Sequence, residues 1–213
     1  MGGLFSSAKE EEVIVNEETP LTTNQTNLNT TKKREIQFAS FEVVRNPSPR
    51  FYEIEHRLAE ISRIATPDDE FHIWPNSSVL VGYTPDGVLQ AFVCLIDTDS
   101  YKNLGREWIY DEKWLALDFE ARGGLLDEGK KGGFVTSLSG NTKDYYGMGN
   151  ALLAELYRMC AGLDYLFLHV SESNPMKDKL IRLYERNGFE MLEFPYSEED
   201  GERFVVMRKM LNE

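Results

Sequence analysis

One glycine-rich stretch has the residue types and spacing to bind a ligand. Apolar residues at helical spacing follow it, and residues 134–138 before it have the composition of a short strand. A strand, a glycine turn and a helix aim backbone N–H groups at one point, where the helix dipole adds partial positive charge. Phosphate or pyrophosphate is the ligand that such a turn favours. The residues of the turn are Tyr145, Tyr146, Gly147, Met148, Gly149 and Asn150.

A second stretch makes the pattern more specific. Two residues separate Leu183-Tyr184-Glu185 from Gly188-Phe189, and the whole segment comes after an apolar strand at residues 165–170. The two stretches together resemble the GNAT family of N-acetyltransferases, over residues 36–211 and most strongly over residues 134–190.

One position departs from the family pattern. The family has Arg or Gln three residues before the first glycine, and this chain has Asp144 there. A carboxylate that faces a pyrophosphate is unfavourable. Lys143, next to it, is a candidate replacement for the missing cation.

The resemblance implies a fold and an activity. The fold is mixed α/β, with a twisted, mostly antiparallel central sheet, a splayed pair of parallel strands and flanking helices. The activity is transfer of an acetyl group from acetyl-CoA to a primary amine, with acetyl-CoA as co-substrate and no metal. The alternative is a GNAT-like domain without catalysis that acts as a binding or structural module, tethered to a membrane by its N-terminus. Asp144 and a long insertion favour this alternative.

The resemblance also assigns roles to individual residues. Backbone N–H groups at Leu138, Ser139 and Gly140 would polarise the thioester oxygen. Tyr184 would give a proton to the leaving thiolate, because a phenol with a pKa near 10 can protonate a thiolate whose conjugate acid has a pKa near 8.5. Asn174 matches an asparagine that contacts pantetheine. It could equally cap a helix that has Pro175 at its first position, and the sequence leaves both roles open.

Composition limits the possible partners. A formal charge of −13 argues against nucleic-acid binding, which requires a basic surface. Cys94 and Cys160 both fall in apolar patterns and are predicted to be buried thiols, which favours a reducing compartment and a cytoplasmic location. The three histidines are scattered without the spacing of a zinc motif, so no metal site is predicted.

The N-terminal residues 1–35 are predicted to be a disordered tail, because Thr, Asn and Glu dominate residues 17–33. Met1-Gly2-Gly3-Leu4-Phe5-Ser6 fits the pattern for N-myristoylation of Gly2, and chance is the competing explanation. One myristoyl chain binds a membrane only weakly, so the expected association of the protein with a membrane is reversible at most.

Residues 36–213 are predicted to form the acetyltransferase domain. Its expected order is a strand at 36–45, a helix that carries Phe51, Ile54 and Leu58, a hairpin at 79–96, the two motif units and a closing hairpin. An insertion at about 100–133 interrupts the domain and is either a lid or a substrate-recognition element.

Two acidic loops suggest the chemistry of the acceptor. In the family, the loop after the first helix and the loop of the last hairpin border the acceptor side. Here they contain Asp68-Asp69-Glu70 and Glu198-Glu199-Asp200. Like charges at one opening would attract a cation. The expected acceptor is therefore a cationic amine, such as a polyamine or a lysine side chain, unless both loops are merely solvated. The sequence does not indicate an oligomeric state.

Overall fold

The computed structural model describes residues 33–66, 71–97, 130–192, 196–197 and 203–211. The elements within these ranges, in chain order, are β1 (Arg34–Glu35), β2 (Ser40–Arg45), α1 (Pro49–Ala65), β3 (Ser78–Tyr83), β4 (Leu89–Asp97), β5 (Gly132–Gly140), β6 (Tyr145–Tyr146), α2 (Met148–Met159), β7 (Tyr165–Ser171), α3 (Lys177–Arg186), β8 (Glu190–Met191), β9 (Tyr196–Ser197) and β10 (Arg203–Met210).

The larger sheet has the strand order β2-β3-β4-β5-β7-β10-β8, and β9 also pairs with β10. Each neighbouring pair is antiparallel except β5 and β7, which are parallel. This arrangement confirms the predicted fold class, a mostly antiparallel sheet that contains one parallel pair.

The parallel pair separates part of the way along its length. Backbone pairing runs from Gly132 opposite Tyr165 to Val135 opposite Leu168, yet β5 continues to residue 140 and β7 to residue 171. The separation coincides with an irregularity between β4 and β5. Consecutive residues of β4 oppose Ser137 and Val135, so Thr136 is an extra residue in β5. Such a bulge bends the strand that contains it, and here the bend leaves a gap between β5 and β7.

Helices cover both faces of the sheet. The side chain of Ser48 accepts a hydrogen bond from the backbone of Phe51, and Pro49 begins α1, as is common at helix starts. The buried side of α1 packs against Val79 and Val81 of β3. The next side chain between them in the strand, Leu80, points to the opposite face and joins the core formed with α2 and α3.

Two expectations from the sequence are corrected by the structure. The first strand, predicted at residues 36–45, covers only Ser40–Arg45, and the short β1 lies before the predicted range. Helix α2 ends at Met159, where the backbone N–H of Cys160 bonds to the carbonyl of Leu156. Helix α3 begins at Lys177, and Asn174 is not its N-cap. Instead, the Asn174 side-chain oxygen accepts a hydrogen bond of 2.8 Å from the backbone N–H of Met176, which forms a local turn before the helix.

Strand β1 pairs with β6, which consists of the first two residues of the glycine turn. The backbone N–H of Arg34 donates to the carbonyl of Asp144, and that of Ile36 donates to the carbonyl of Tyr146, both at 3.0 Å. Ile36 is buried in the core beside α2, so a hydrophobic anchor follows the short strand. The first described residues thus contact the segment from which the sequence predicts phosphate binding.

Several predictions concern residues outside the described ranges. Residues 1–32, which include the predicted tail and Gly2, are among them, as are residues 98–129 of the predicted insertion and both acidic loops. Cys94 and Cys160 are described and buried, as predicted, and burial raises the pKa of both thiols. Among the helices that the structure describes, none is long and apolar enough to span a bilayer.

The start of β5 provides a test of packing. A Cβ atom at Gly133 would lie 2.8–2.9 Å from methyl groups of Leu95, Leu163 and Leu166, whereas one at Gly162 would have no atom within 4 Å. We therefore expect Gly133→Ala to lower the free energy of unfolding by about 1–3 kcal/mol, the usual cost of overpacking. Chemical denaturation would measure it, with Gly162→Ala as the matched control. Equal stability of the two variants would contradict the packing described here.

Candidate functional site

A cleft of about 370 Å³ opens where β5 leaves β7. Its walls come from the end of β5, the glycine turn, the start of α2 and one side of α3. Nine of the predicted cofactor-binding residues line it: Leu138, Ser139, Gly140, Tyr145, Tyr146, Gly147, Met148, Gly149 and Asn174. The fold therefore brings the end of β5 and the glycine turn together at one cleft. It also places Asn174, which comes from the segment between β7 and α3, at the same cleft.

The end of β5 presents backbone donors to this cleft. The N–H of Asn141 donates to the carbonyl of Gln90 in the direction of β4, at 2.9 Å. Successive residues of a strand direct their N–H groups to opposite edges. Leu138 and Gly140 therefore direct theirs away from β4, toward the gap between β5 and β7. N–H groups aimed at one region can hold a carbonyl oxygen or stabilise an oxyanion.

The glycine turn supplies the second group of donors. Gly147 precedes α2 with a φ of 85°, in the left-handed region that favours glycine, and it has no side chain with which to cap the helix. The first N–H groups of α2 and the positive end of its dipole lie at the cleft, since Met148 and Gly149 line it. This geometry suits a phosphate, as the sequence predicts.

Gly149 has a packing role as well. A Cβ atom at this position would lie 2.8 Å from a methyl group of Leu183, so the missing side chain lets α2 approach α3. The sequence suggests another reason for the glycine, which is that a side chain would occupy ligand space. Because both Gly149 and Leu183 line the cleft, a substitution at Gly149 would disturb the packing of the helices and the wall of the cleft together.

Asp144 is held by a polar network beneath the turn. Its carboxylate accepts a hydrogen bond of 3.0 Å from the side-chain amide of Asn141, which is buried and also donates to the side-chain oxygen of Gln90 at 2.9 Å. Arg57 of α1 donates to the carbonyl of Leu89 at 3.1 Å, next to this network. Asp144 is not among the described residues that line the cleft. The carboxylate that the sequence predicts to face a phosphate is thus bonded to Asn141 and lies outside the described lining.

Tyr184 lies in the core. It is 6% exposed, and its ring packs edge to face against Phe189 at a centroid distance of 5.6 Å. Burial raises the pKa of its phenol to about 12, which keeps the group protonated at neutral pH. Among the described residues, Leu180 and Leu183 of the same helix line the cleft and Tyr184 does not.

The two predicted asparagines differ in position. Asn174 lines the cleft while its side-chain oxygen accepts the hydrogen bond from Met176. Asn150 is not part of the described lining; its side-chain oxygen accepts a hydrogen bond of 2.9 Å from the side-chain amide of Asn187. In this structure, Asn150 therefore links α2 to the end of α3.

About half of the residues that line the cleft were not predicted from the sequence. The helical spacing of apolar residues before Tyr184 could have indicated the wall formed by α3, since Leu180 and Leu183 are three residues apart. The ends of α1 and β1 carry no such signal, because only the fold brings them to the cleft. The lining residues that were not predicted are Lys33, Ala65, Thr66, Thr142, Leu152, Met176, Leu180 and Leu183.

Neither protein-family models nor curated proteins match the chain. Solved structures do match it. FeeM, an N-acyl amino acid synthase from uncultured soil microbes, superposes with a TM-score of 0.54 and 14% identity over 82% of this chain and 92% of that one. NAA60 of Arabidopsis thaliana in complex with acetyl-CoA gives a TM-score of 0.51 and 18% identity over 82% and 99%. NAA60 in complex with a bisubstrate analogue gives 0.50 and 17% over 81% and 99%.

These likenesses extend over most of both chains, at identities that show the fold rather than the substrate. The chain therefore has the fold of the GNAT N-acetyltransferases, as the two motif stretches predict.

Proposed function

We propose that this protein is an N-acetyltransferase that transfers the acetyl group of acetyl-CoA to a primary amine. The observation that carries the proposal is the continuous cleft from the β5–β7 gap to the glycine turn, within a GNAT fold. A structural neighbour, NAA60, has been solved with acetyl-CoA and with a bisubstrate analogue.

The residues present fit the parts of acetyl-CoA. The pyrophosphate would bind at Gly147 and Gly149, where backbone N–H groups and the α2 dipole favour an anion. The pantetheine arm contains amide groups, which would bond to the outward-facing backbone of β5 at Leu138 and Gly140 in place of the lost partner strand. Apolar side chains such as Leu152, Leu180 and Leu183 would cover its methylene groups.

The same residues suggest how the reaction is promoted. An N–H group of β5 that donates to the thioester oxygen stabilises the negative charge that develops when the amine attacks the carbonyl carbon. The C–N bond would form as the attacking nitrogen gives one proton to water, the C–S bond would break, and the thiolate would leave with the electron pair of that bond. A proton donor for this thiolate is required, and Tyr184 remains our proposed donor. In that role its hydroxyl must reach the cleft when the cofactor is bound.

The second candidate is a binding module without catalysis. The burial of Tyr184 away from the described lining favours it, because a phenol that never meets the sulfur cannot protonate it. Both candidates use the same cleft, and they differ in turnover.

Calorimetry followed by a turnover assay separates these possibilities. Binding of acetyl-CoA together with release of CoA in the presence of a primary amine supports the acetyltransferase. Binding without turnover over a broad amine panel supports the module. Failure of acetyl-CoA to bind would remove the acetyltransferase and the acetyl-CoA-binding module, and would favour the structural module that the sequence also allows.

Tyr184→Phe tests the proton donor. We expect affinity for acetyl-CoA to stay the same and turnover to fall on the order of 10²-fold, because only the acidic hydroxyl is lost. Tyr157→Phe is the matched control. Its hydroxyl donates to the carbonyl of Asn187 at 3.0 Å on the neighbouring helix, and turnover should not change. If Tyr184→Phe keeps wild-type turnover between pH 7 and 9, Tyr184 is a packing residue.

The proposed acceptor is a cationic amine, such as a polyamine or a lysine-rich peptide. The proposal depends on the acidic loops at residues 68–70 and 198–200, which lie outside the described ranges. We expect spermidine to be acetylated faster than neutral amines of similar size, with an advantage that shrinks as salt screens the charges. A panel of amines at two salt concentrations measures this. A preference for neutral or acidic amines would count against the proposal.

N-myristoylation of Gly2 also stays a prediction, since residues 1–32 are not described. When the chain is expressed from Met1 together with an N-myristoyltransferase, we expect loss of Met1 and gain of one myristoyl group. Intact mass spectrometry measures both changes, and an unmodified Gly2 under these conditions would contradict the prediction.

A further inference from the structure

We propose that Lys33, brought to the cleft by strand β1, binds the pyrophosphate of CoA and supplies the cation that the glycine turn lacks. This inference rests on the function proposed above and assigns a role to a residue outside both motif stretches. The observation that carries it is that Lys33 lines the same cleft as Gly147 and Gly149.

Lys33 differs in charge from the other described residues that line the cleft. Among the described residues that line the cleft, Lys33 is the only one with a charged side chain. The chain as a whole has a formal charge of −13, which opposes the approach of a polyanionic ligand. A local cation beside the helix terminus would offset this repulsion at the point where the phosphates bind.

The other charged side chains near the turn do not supply a cation to the described lining of the cleft. The position at which the family has Arg or Gln is occupied by Asp144, whose carboxylate is bound to the amide of Asn141. Lys143, the alternative cation from the sequence, is exposed and is not among the described residues of the lining. Glu35 is near the turn, with its Cγ 3.9 Å from the Cβ position of Gly147, but it does not line the cleft either.

Hydrogen bonds and burial fix the backbone of β1. The N–H of Arg34 donates to the carbonyl of Asp144, the N–H of Ile36 donates to the carbonyl of Tyr146, and Ile36 is 8% exposed. The guanidinium of Arg34 lies 5.5 Å from the ring centroid of Tyr145, within the range of a cation–π contact. These contacts place the neighbouring Lys33 at the opening of the cleft, while its own side chain stays exposed and available to a ligand.

Calorimetry with three ligands and four proteins tests the assignment. The proteins are wild type, Lys33→Ala, Lys33→Arg and, as the matched control, Lys143→Ala, which removes another exposed lysine close to the glycine turn. The ligands are CoA, dephospho-CoA, which keeps the pyrophosphate and lacks the 3′-phosphate, and pantetheine, which has neither. Denaturation curves check that each variant is folded.

We expect Lys33→Ala to weaken CoA binding roughly three- to tenfold at low salt, the range for one exposed charge-assisted contact. The same loss should appear with dephospho-CoA, be absent with pantetheine and diminish as salt is added. Lys33→Arg should bind like wild type because it keeps the charge, and so should Lys143→Ala.

Three results would overturn the assignment. They are unchanged CoA affinity in Lys33→Ala, an equal loss with pantetheine, and a loss that vanishes with dephospho-CoA, which would place Lys33 at the 3′-phosphate. If wild type does not bind CoA at all, the proposed function fails along with it. A wild type that binds CoA with no effect of Lys33 overturns this inference alone.

Discussion

The separation of β5 from β7 is the constraint on which the site depends. Backbone groups inside a sheet are normally paired, and leaving them without partners is costly. Here the extra residue Thr136 bends β5, and pairing with β7 stops at Val135. The strand beyond this point keeps its bonds to β4 on one edge and faces a cleft on the other. An amide-containing ligand can complete that edge in the way a further strand would.

Close packing around the separation keeps its geometry in place. On the paired side, Gly133 allows the side chains of Leu95, Leu163 and Leu166 to converge on β5. On the open side, the approach of α2 to α3 depends on Gly149. One glycine therefore admits neighbouring side chains in the paired part of β5, and the other does so at the wall of the cleft, so the shape of the cleft depends on core packing as well as on the turn.

Hydrogen bonds near the turn affect which charged side chains line the cleft. The side chain of Asn141 donates hydrogen bonds to the carboxylate of Asp144 and to Gln90 of β4, and Lys33, the residue before β1, lines the cleft. The electrostatics of the turn thus arise from segments more than a hundred residues apart in the sequence. Among the described residues, none of those that line the cleft has a carboxylate side chain, although the chain as a whole has a formal charge of −13.

The sequence alone predicted the fold class, through the resemblance of its two motif stretches to a known family, and it predicted most of the glycine-turn residues that line the cleft, because these stretches are local patterns. Alternating and helical apolar spacing marks the strands and helices, and a glycine turn before a helix has the same physical consequence in many folds. Only the tertiary structure decided where Asp144 and Tyr184 lie and that Lys33 reaches the cleft. Their positions follow from a side-chain bond to Asn141, from burial against Phe189 and from the pairing of β1 with β6. Such long-range pairings and competing hydrogen bonds leave no periodic trace in the sequence.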